Sequence, residues 1–182
     1  MNKVLLLVSS ILLSLNINAA TLDKVTMPDS VNVKGKDLVL NGLGTRKATW
    51  LRVKVYVGGL YLEKKSKDPQ TILNSNGVKY IRMHFVRDVK GEKLINGWNE
   101  AFASAVKDRS KIQKRIDELN ALMGDVKKNQ EIVLTFTDKD VHIEFANSKS
   151  GTIKGGDFSK ALLSVWFINA KDEGLRDGLL GL

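Results

Sequence analysis

Three stretches of this chain alternate apolar and polar residues with a period of two, and they constrain its fold more than any other feature. In the first, Leu51, Val53, Val55 and Val57 alternate with Trp50, Arg52, Lys54 and Tyr56. In the second, Ile81, Met83 and Phe85 alternate with Tyr80, Arg82 and His84. The third is double: Ile132, Leu134 and Phe136, then Val141, Ile143 and Phe145, flank Asp138-Lys139 as a hairpin. Such alternation marks strands with one face buried. Gly58-Gly59 interrupts the first stretch and reads as a bulge or bend before Leu60, Tyr61 and Leu62 resume. Pro28 is expected to precede the first strand.

Helical spacing appears in separate blocks. Leu94, Ile95, Trp98, Ala101, Phe102 and Ala105 share one face of a helix over about residues 92–106, and Ile112, Ile116, Leu119 and Met123 repeat the pattern. Pro69 opens a short helix, and Asp157 reads as the N-cap of a helix carrying Phe158, Ala161, Leu162, Val165 and Trp166. A last short helix follows over about residues 175–180. Hairpin strands with grouped helices predict an α+β fold, an antiparallel sheet backed by a layer of helices.

Residues 1–19 have the layout of a secretory signal peptide: basic Lys3, an apolar run over residues 4–15, and a small-residue exit at Ala19 and Ala20. The run is too short to span a bilayer. Cleavage after Ala19 would leave residues 20–182 as a single domain, free of repeats and low-complexity linkers, in the periplasm or secreted. The net charge of +9 falls by one with Lys3 removed. It suits acidic ligands or weak contact with anionic lipid, whereas nucleic acid is not expected in that compartment. Lys107, Arg109, Lys111, Lys114 and Arg115 form the one basic cluster, read as a solvated helix face. With no cysteine the chain has neither disulfide nor thiol nucleophile.

Several familiar chemistries are excluded. Gly42-Leu43-Gly44 lacks the third glycine of a dinucleotide fingerprint and precedes a strand. His142-Ile143-Glu144 has no cysteines to complete a zinc shell, and His84 is the only other histidine. No Gly-x-Ser-x-Gly elbow occurs. Neither a metal site nor a cofactor is expected. Arg46 stands out, because it follows what reads as a glycine-rich turn and its guanidinium fork matches a carboxylate or enolate oxygen. A turn arginine paired with an acid on a neighbouring strand is the alternative. If the faces bearing Tyr56 and Arg82 adjoin, they form an aromatic, cationic wall suited to an amphipathic anion; if not, they are solvent faces.

Residues 38–63, LVLNGLGTRKATWLRVKVYVGGLYLE, and residues 155–181, GGDFSKALLSVWFINAKDEGLRDGLLG, together resemble the chalcone isomerase-like family. The resemblance implies an open-faced sandwich with a pocket between sheet and helices, in a family of enzymes, fatty-acid binders and members without known activity. It places Arg46 where isomerases hold a phenolate and fatty-acid-binding relatives hold a carboxylate, and Tyr56 near a threonine that helps hold the active-site water. In residues 90–98, KGEKLINGW, Lys90 stands near the place of the isomerase tyrosine and Asn96 near that of the asparagine. An ammonium does not reproduce a phenol, which counts against chalcone cyclisation.

The expected function is therefore an exported binder of a small amphipathic anion, a fatty acid or aromatic acid. Arg46 would anchor the charge with help from Tyr56, Arg82, Lys90 and Asn96, and Trp98 and Phe102 would line the apolar end. The first alternative is an isomerase of the intramolecular-lyase type, acting on a chalcone-like or other unsaturated carbonyl through Arg46 and Tyr56. The second is an envelope scaffold without ligand.

Overall fold

The structure, a computed structural model, describes residues 19–146 and 149–182, so the expected signal peptide lies outside the described residues but for Ala19. A hairpin of β1 (Ala19–Leu22) and β2 (Val25–Pro28) leads into a meander. The meander comprises β3 (Ser30–Val33), β4 (Lys36–Ala48), β5 (Val53–Leu62), β6 (Lys79–Phe85), β7 (Glu131–Phe136), β8 (Asp140–Phe145) and β9 (Lys149–Lys154). Each strand pairs antiparallel with the next, giving one seven-stranded sheet in sequence order. Helix α1 (Pro69–Asn74) follows β5, α2 (Gly91–Ala105) and α3 (Gln113–Leu122) follow β6, and α4 (Gly156–Ser164) and α5 (Glu173–Leu180) close the chain. This is the antiparallel sheet with a helix layer that the patterning predicts.

The main core lies between sheet and helices. Ile81, Met83 and Phe85 of β6, Ile132 and Leu134 of β7, and Val141 and Ile143 of β8 meet Trp98, Phe102, Phe158 and Leu162 there. Phe102 is fully buried and stacks on Phe158 at 5.9 Å between ring centroids. On the opposite face of the sheet the β1–β2 hairpin packs Val25 and Met27 against Val57. Tyr61 there donates its hydroxyl hydrogen bond to the Pro28 carbonyl at 3.0 Å.

Helix α5 lies directly on β4. A Cβ on Gly42 would meet the Gly178 carbonyl oxygen at 2.1 Å, and one on Gly44 would meet that of Leu175 at 2.5 Å. In return, a Cβ on Gly178 would stand 2.3 Å from the Leu43 carbonyl oxygen. Both ends of the helix are fastened to the same strand. Asp172, its N-cap, accepts hydrogen bonds from Leu175 N at 3.2 Å and from Lys47 N at 2.6 Å. Asn41 donates to the Leu179 carbonyl at 2.8 Å.

Four sequence expectations are corrected. Gly42-Leu43-Gly44 is strand rather than turn; its glycines make room for a helix backbone. Gly58-Gly59 carries no bulge, because the extra residues fall elsewhere: the register skips Asn41 on β4 and Val55 on β5. Asp157 does not cap α4, whose N-cap is Gly155 at φ 118°, since its carboxylate is held by both Nη atoms of Arg115, at 2.5 and 2.7 Å. Pro28 ends β2 instead of preceding the strands.

The glycine contacts predict opposite outcomes for one substitution at two helical sites. Gly178→Ala should destabilise by about 1–3 kcal/mol or more, because the methyl meets backbone that cannot yield. Gly97→Ala, in α2 with nothing within 4 Å of its Cβ position, should stabilise by up to about 1 kcal/mol. Phe102→Ala should cost about 3–5 kcal/mol. Denaturant unfolding of the three variants checks all of these.

Candidate functional site

Skipping Val55 reverses the faces of β5. A one-residue shift moves every later side chain to the other side of a strand. Val53 and Val55 face the helices, and after the bulge Tyr56 faces them too, while Val57 turns to Met27 on the far side. Tyr56 is therefore buried rather than outward. Arg46 is its direct cross-strand partner on β4, so the two side chains share the helix-facing side.

They line a cavity of about 540 Å³ between the sheet and α2, closed at one end by α5. Its buried wall is apolar: Met83 from β6, Leu94 and Trp98 from α2, Val165 and Trp166 after α4, and Leu175 from α5. Trp98 and Trp166 meet edge to face at 5.5 Å. The mouth is charged and exposed, with Arg87, Asp88, Lys90, Lys93, Glu100 and Lys171. Across it, α2 is joined to the segment before α5 by Lys171–Glu100 at 2.8 Å and by Asn169 Nδ2 donating to Ser104 O at 3.0 Å.

Two donors face the cavity with capacity to spare. Arg46 Nη1 donates to the Lys47 carbonyl and to Asp172 at 3.3 Å, while Nε and Nη2 make no hydrogen bond among the described residues. Tyr56 Oη accepts from Trp166 Nε1 at 3.2 Å, and its own hydrogen has no acceptor among the described residues. Burial raises the Tyr56 pKa to about 12, slightly opposed by the Trp166 hydrogen bond and by Arg46. The phenol thus keeps its proton across the physiological range and can donate it to an anion.

The other expected site residues divide. Trp98 lines the cavity wall, and Lys90 stands at the mouth, held by Asp125 at 2.7 Å. Arg82 does not reach the cavity: it lies on the opposite face of β6, where it and His84 share Glu131, each at 2.8 Å. The wall expected from Tyr56 and Arg82 does not form, since the bulge puts them on opposite sides. Asn96 is exposed on α2 away from the lining, and Phe102 sits deeper, against Phe158. His142 is outward on β8, 2.9 Å from Thr152 Oγ1. Asp172 and Trp166 escaped the sequence reading as site residues. The Asp172-Glu173 pair before a short apolar run is legible as a helix start, but its strand partner, 125 residues earlier, is not.

A family model described as chalcone isomerase-like matches residues 19–181. The crystal structure of an Arabidopsis thaliana fatty-acid-binding protein superposes with a TM-score of 0.72 at 16% identity, over 90% of this chain and 96% of that one. At that identity the likeness is one of fold. A search among curated proteins finds no match.

All three tyrosines are buried enough to ionise late: Tyr56 and Tyr61 are both raised to about 12, chiefly by burial, and Tyr80 is raised for the same reason. A raised phenol pKa contributes stability that is complete below the unfolded value of about 10 and declines as pH climbs toward 12. Alkaline titration of the folded protein should therefore show tyrosinate absorbance displaced above pH 10, toward about 12 for Tyr56 and Tyr61, with stability falling over the same range. Three tyrosines titrating near 10 with the fold intact would contradict this.

Proposed function

The chain belongs to the chalcone isomerase-like family, and from that premise we propose that it is an exported protein that binds a small amphipathic anion, a fatty acid or an aromatic acid, in the cavity between sheet and helices. The observation that carries this reading is the pairing of Arg46 with Tyr56 over an apolar wall. A volume of about 540 Å³ falls in the range of small-molecule sites, roughly 300–1,000 Å³. A carboxylate would take hydrogen bonds from Arg46 Nε or Nη2 and from Tyr56 Oη. The tail would lie along Leu94, Trp98, Val165 and Trp166. The Arabidopsis thaliana protein of the same fold, described as fatty-acid binding, supports the ligand class. Export rests on the layout of residues 1–19.

The intramolecular-lyase reading keeps one supporting observation. The same two donors would also meet an oxyanion, and donors aimed at developing charge are the usual source of such catalysis. Binding is the better-supported reading, because both groups at the corner are donors and neither is a base: a guanidinium keeps its protons, and burial holds the Tyr56 phenol protonated.

Calorimetric titration with one fatty acid and one aromatic acid tests the proposal. Arg46→Gln should weaken binding by about 1.5–3 kcal/mol, the range for a hydrogen bond to a charged group. Arg82→Gln should leave affinity unchanged, because Arg82 faces away from the cavity. Consumption of a chalcone-like substrate by the wild type would favour the isomerase. No binding of either acid to the wild type would favour the scaffold.

A further inference from the structure

The β4–β5 connection, residues 49–52, carries two of the three large hydrophobic side chains that are exposed among the described residues: Trp50 at 88% and Leu51 at 62%. Isolated surface hydrophobics need no explanation. These two are neighbours at the tip of a tight turn closed by Arg52 N donating to Thr49 O at 3.0 Å. The turn holds Thr49 at φ 62° and Arg52 at φ 52°. A left-handed conformation is unfavourable for a β-branched threonine, so the projecting tip is maintained against local preference.

The tip also borders the cavity, whose mouth is lined by Thr49 and Leu51. Arg52 flanks it on the hairpin, and Arg87 and Lys93 stand on the rim. None of these three cations is in an ion pair among the described residues. The acids of the mouth are all engaged: Asp88 with Lys127, Glu100 with Lys171 and Asp172 with Arg46. The face that presents Trp50 is therefore electrically positive around an apolar point.

We propose that this face docks the protein on an anionic bilayer surface, with Trp50 and Leu51 seated at the interface and the cavity mouth turned toward the lipid. Tryptophan favours the boundary between head groups and acyl chains, and each cation near an anionic surface adds attraction that salt screens. A bilayer takes up such a tip without a shaped counterpart, whereas a protein partner would need a groove matched to it. Docking rests on the cavity reading only for its purpose, since the anions proposed as ligands partition into bilayers and would enter the mouth from there.

The test uses vesicles of phosphatidylglycerol with phosphatidylcholine against pure phosphatidylcholine, in sedimentation and in tryptophan emission. Trp98 and Trp166 are buried, so a blue shift on binding reports Trp50. Wild type should bind the anionic vesicles, with the shift, and release as ionic strength rises well above physiological. Trp50→Ser and Arg52→Glu should each weaken binding roughly tenfold or more, with melting curves unchanged. Fatty-acid titration of Trp50→Ser without vesicles should match the wild type, because Trp50 does not line the cavity. Vesicle binding that survives both substitutions, or equal binding to neutral and anionic vesicles, would overturn the proposal, as would capture by an anionic polymer in place of vesicles. Trp50-dependent vesicle binding in a protein that takes up neither a fatty acid nor an aromatic acid would leave docking standing and overturn the cavity reading alone.

Discussion

The contact on which the rest of this structure depends is backbone against backbone, between α5 and β4. Glycines at 42, 44 and 178 remove the three Cβ atoms that would hold helix and strand apart, and close approach lets polar groups at both helix ends reach the strand. Asp172 binds Lys47 N at one end, and Asn41 binds the Leu179 carbonyl at the other. The bulge at Asn41 belongs to the same device, because it turns Gly42 and Gly44 toward α5 while Leu38 and Leu40 pack on the opposite face with Tyr61. Helix propensity alone would favour alanine at position 178 by about 1 kcal/mol, so its glycine is selected by packing.

That seating fixes the end wall of the cavity. Asp172 caps the helix and binds Arg46 Nη1, which holds the guanidinium at the cavity edge instead of letting it extend into solvent. The second bulge, at Val55, brings Tyr56 beneath it. Two local insertions in neighbouring strands therefore create a polar corner in an otherwise apolar space. The arginine has a double role: it fastens α5 through Asp172 and keeps two unused donor positions toward the cavity. Of the two readings of Arg46 open from sequence, the pairing with an acid is seen, although the acid is the N-cap of α5 and not a residue of a neighbouring strand, and the ligand contact is the proposal.

Periodicity made the regular elements legible. The alternation in β6, β7 and β8, the faces of α2 and α3, and the Pro69 helix all read correctly, because each is set by local spacing and by burial on one side. What failed was whatever depended on distant partners. Gly42-Leu43-Gly44 looks like a turn until a helix about 135 residues later is laid on it. Tyr56 looks outward because alternation assumes an unbroken ladder, and no residue type announces that Val55 will be skipped. Arg82 was lost from the site by the same error. Asp157 had the chemistry of a cap, but Arg115 on α3 offered its carboxylate a charged, two-point partner.

The central claim is that Arg46 and Tyr56 form one anion-binding corner above an apolar cavity. A crystal structure of the protein soaked with a long-chain fatty acid tests it most directly. The account predicts the carboxylate within about 2.5–2.9 Å of Tyr56 Oη and an Arg46 nitrogen, with Asp172 still capping α5 and the chain along Trp98 and Val165. A fatty acid bound elsewhere on the molecule, or oriented with its tail at Arg46 and its carboxylate toward the mouth, would contradict it.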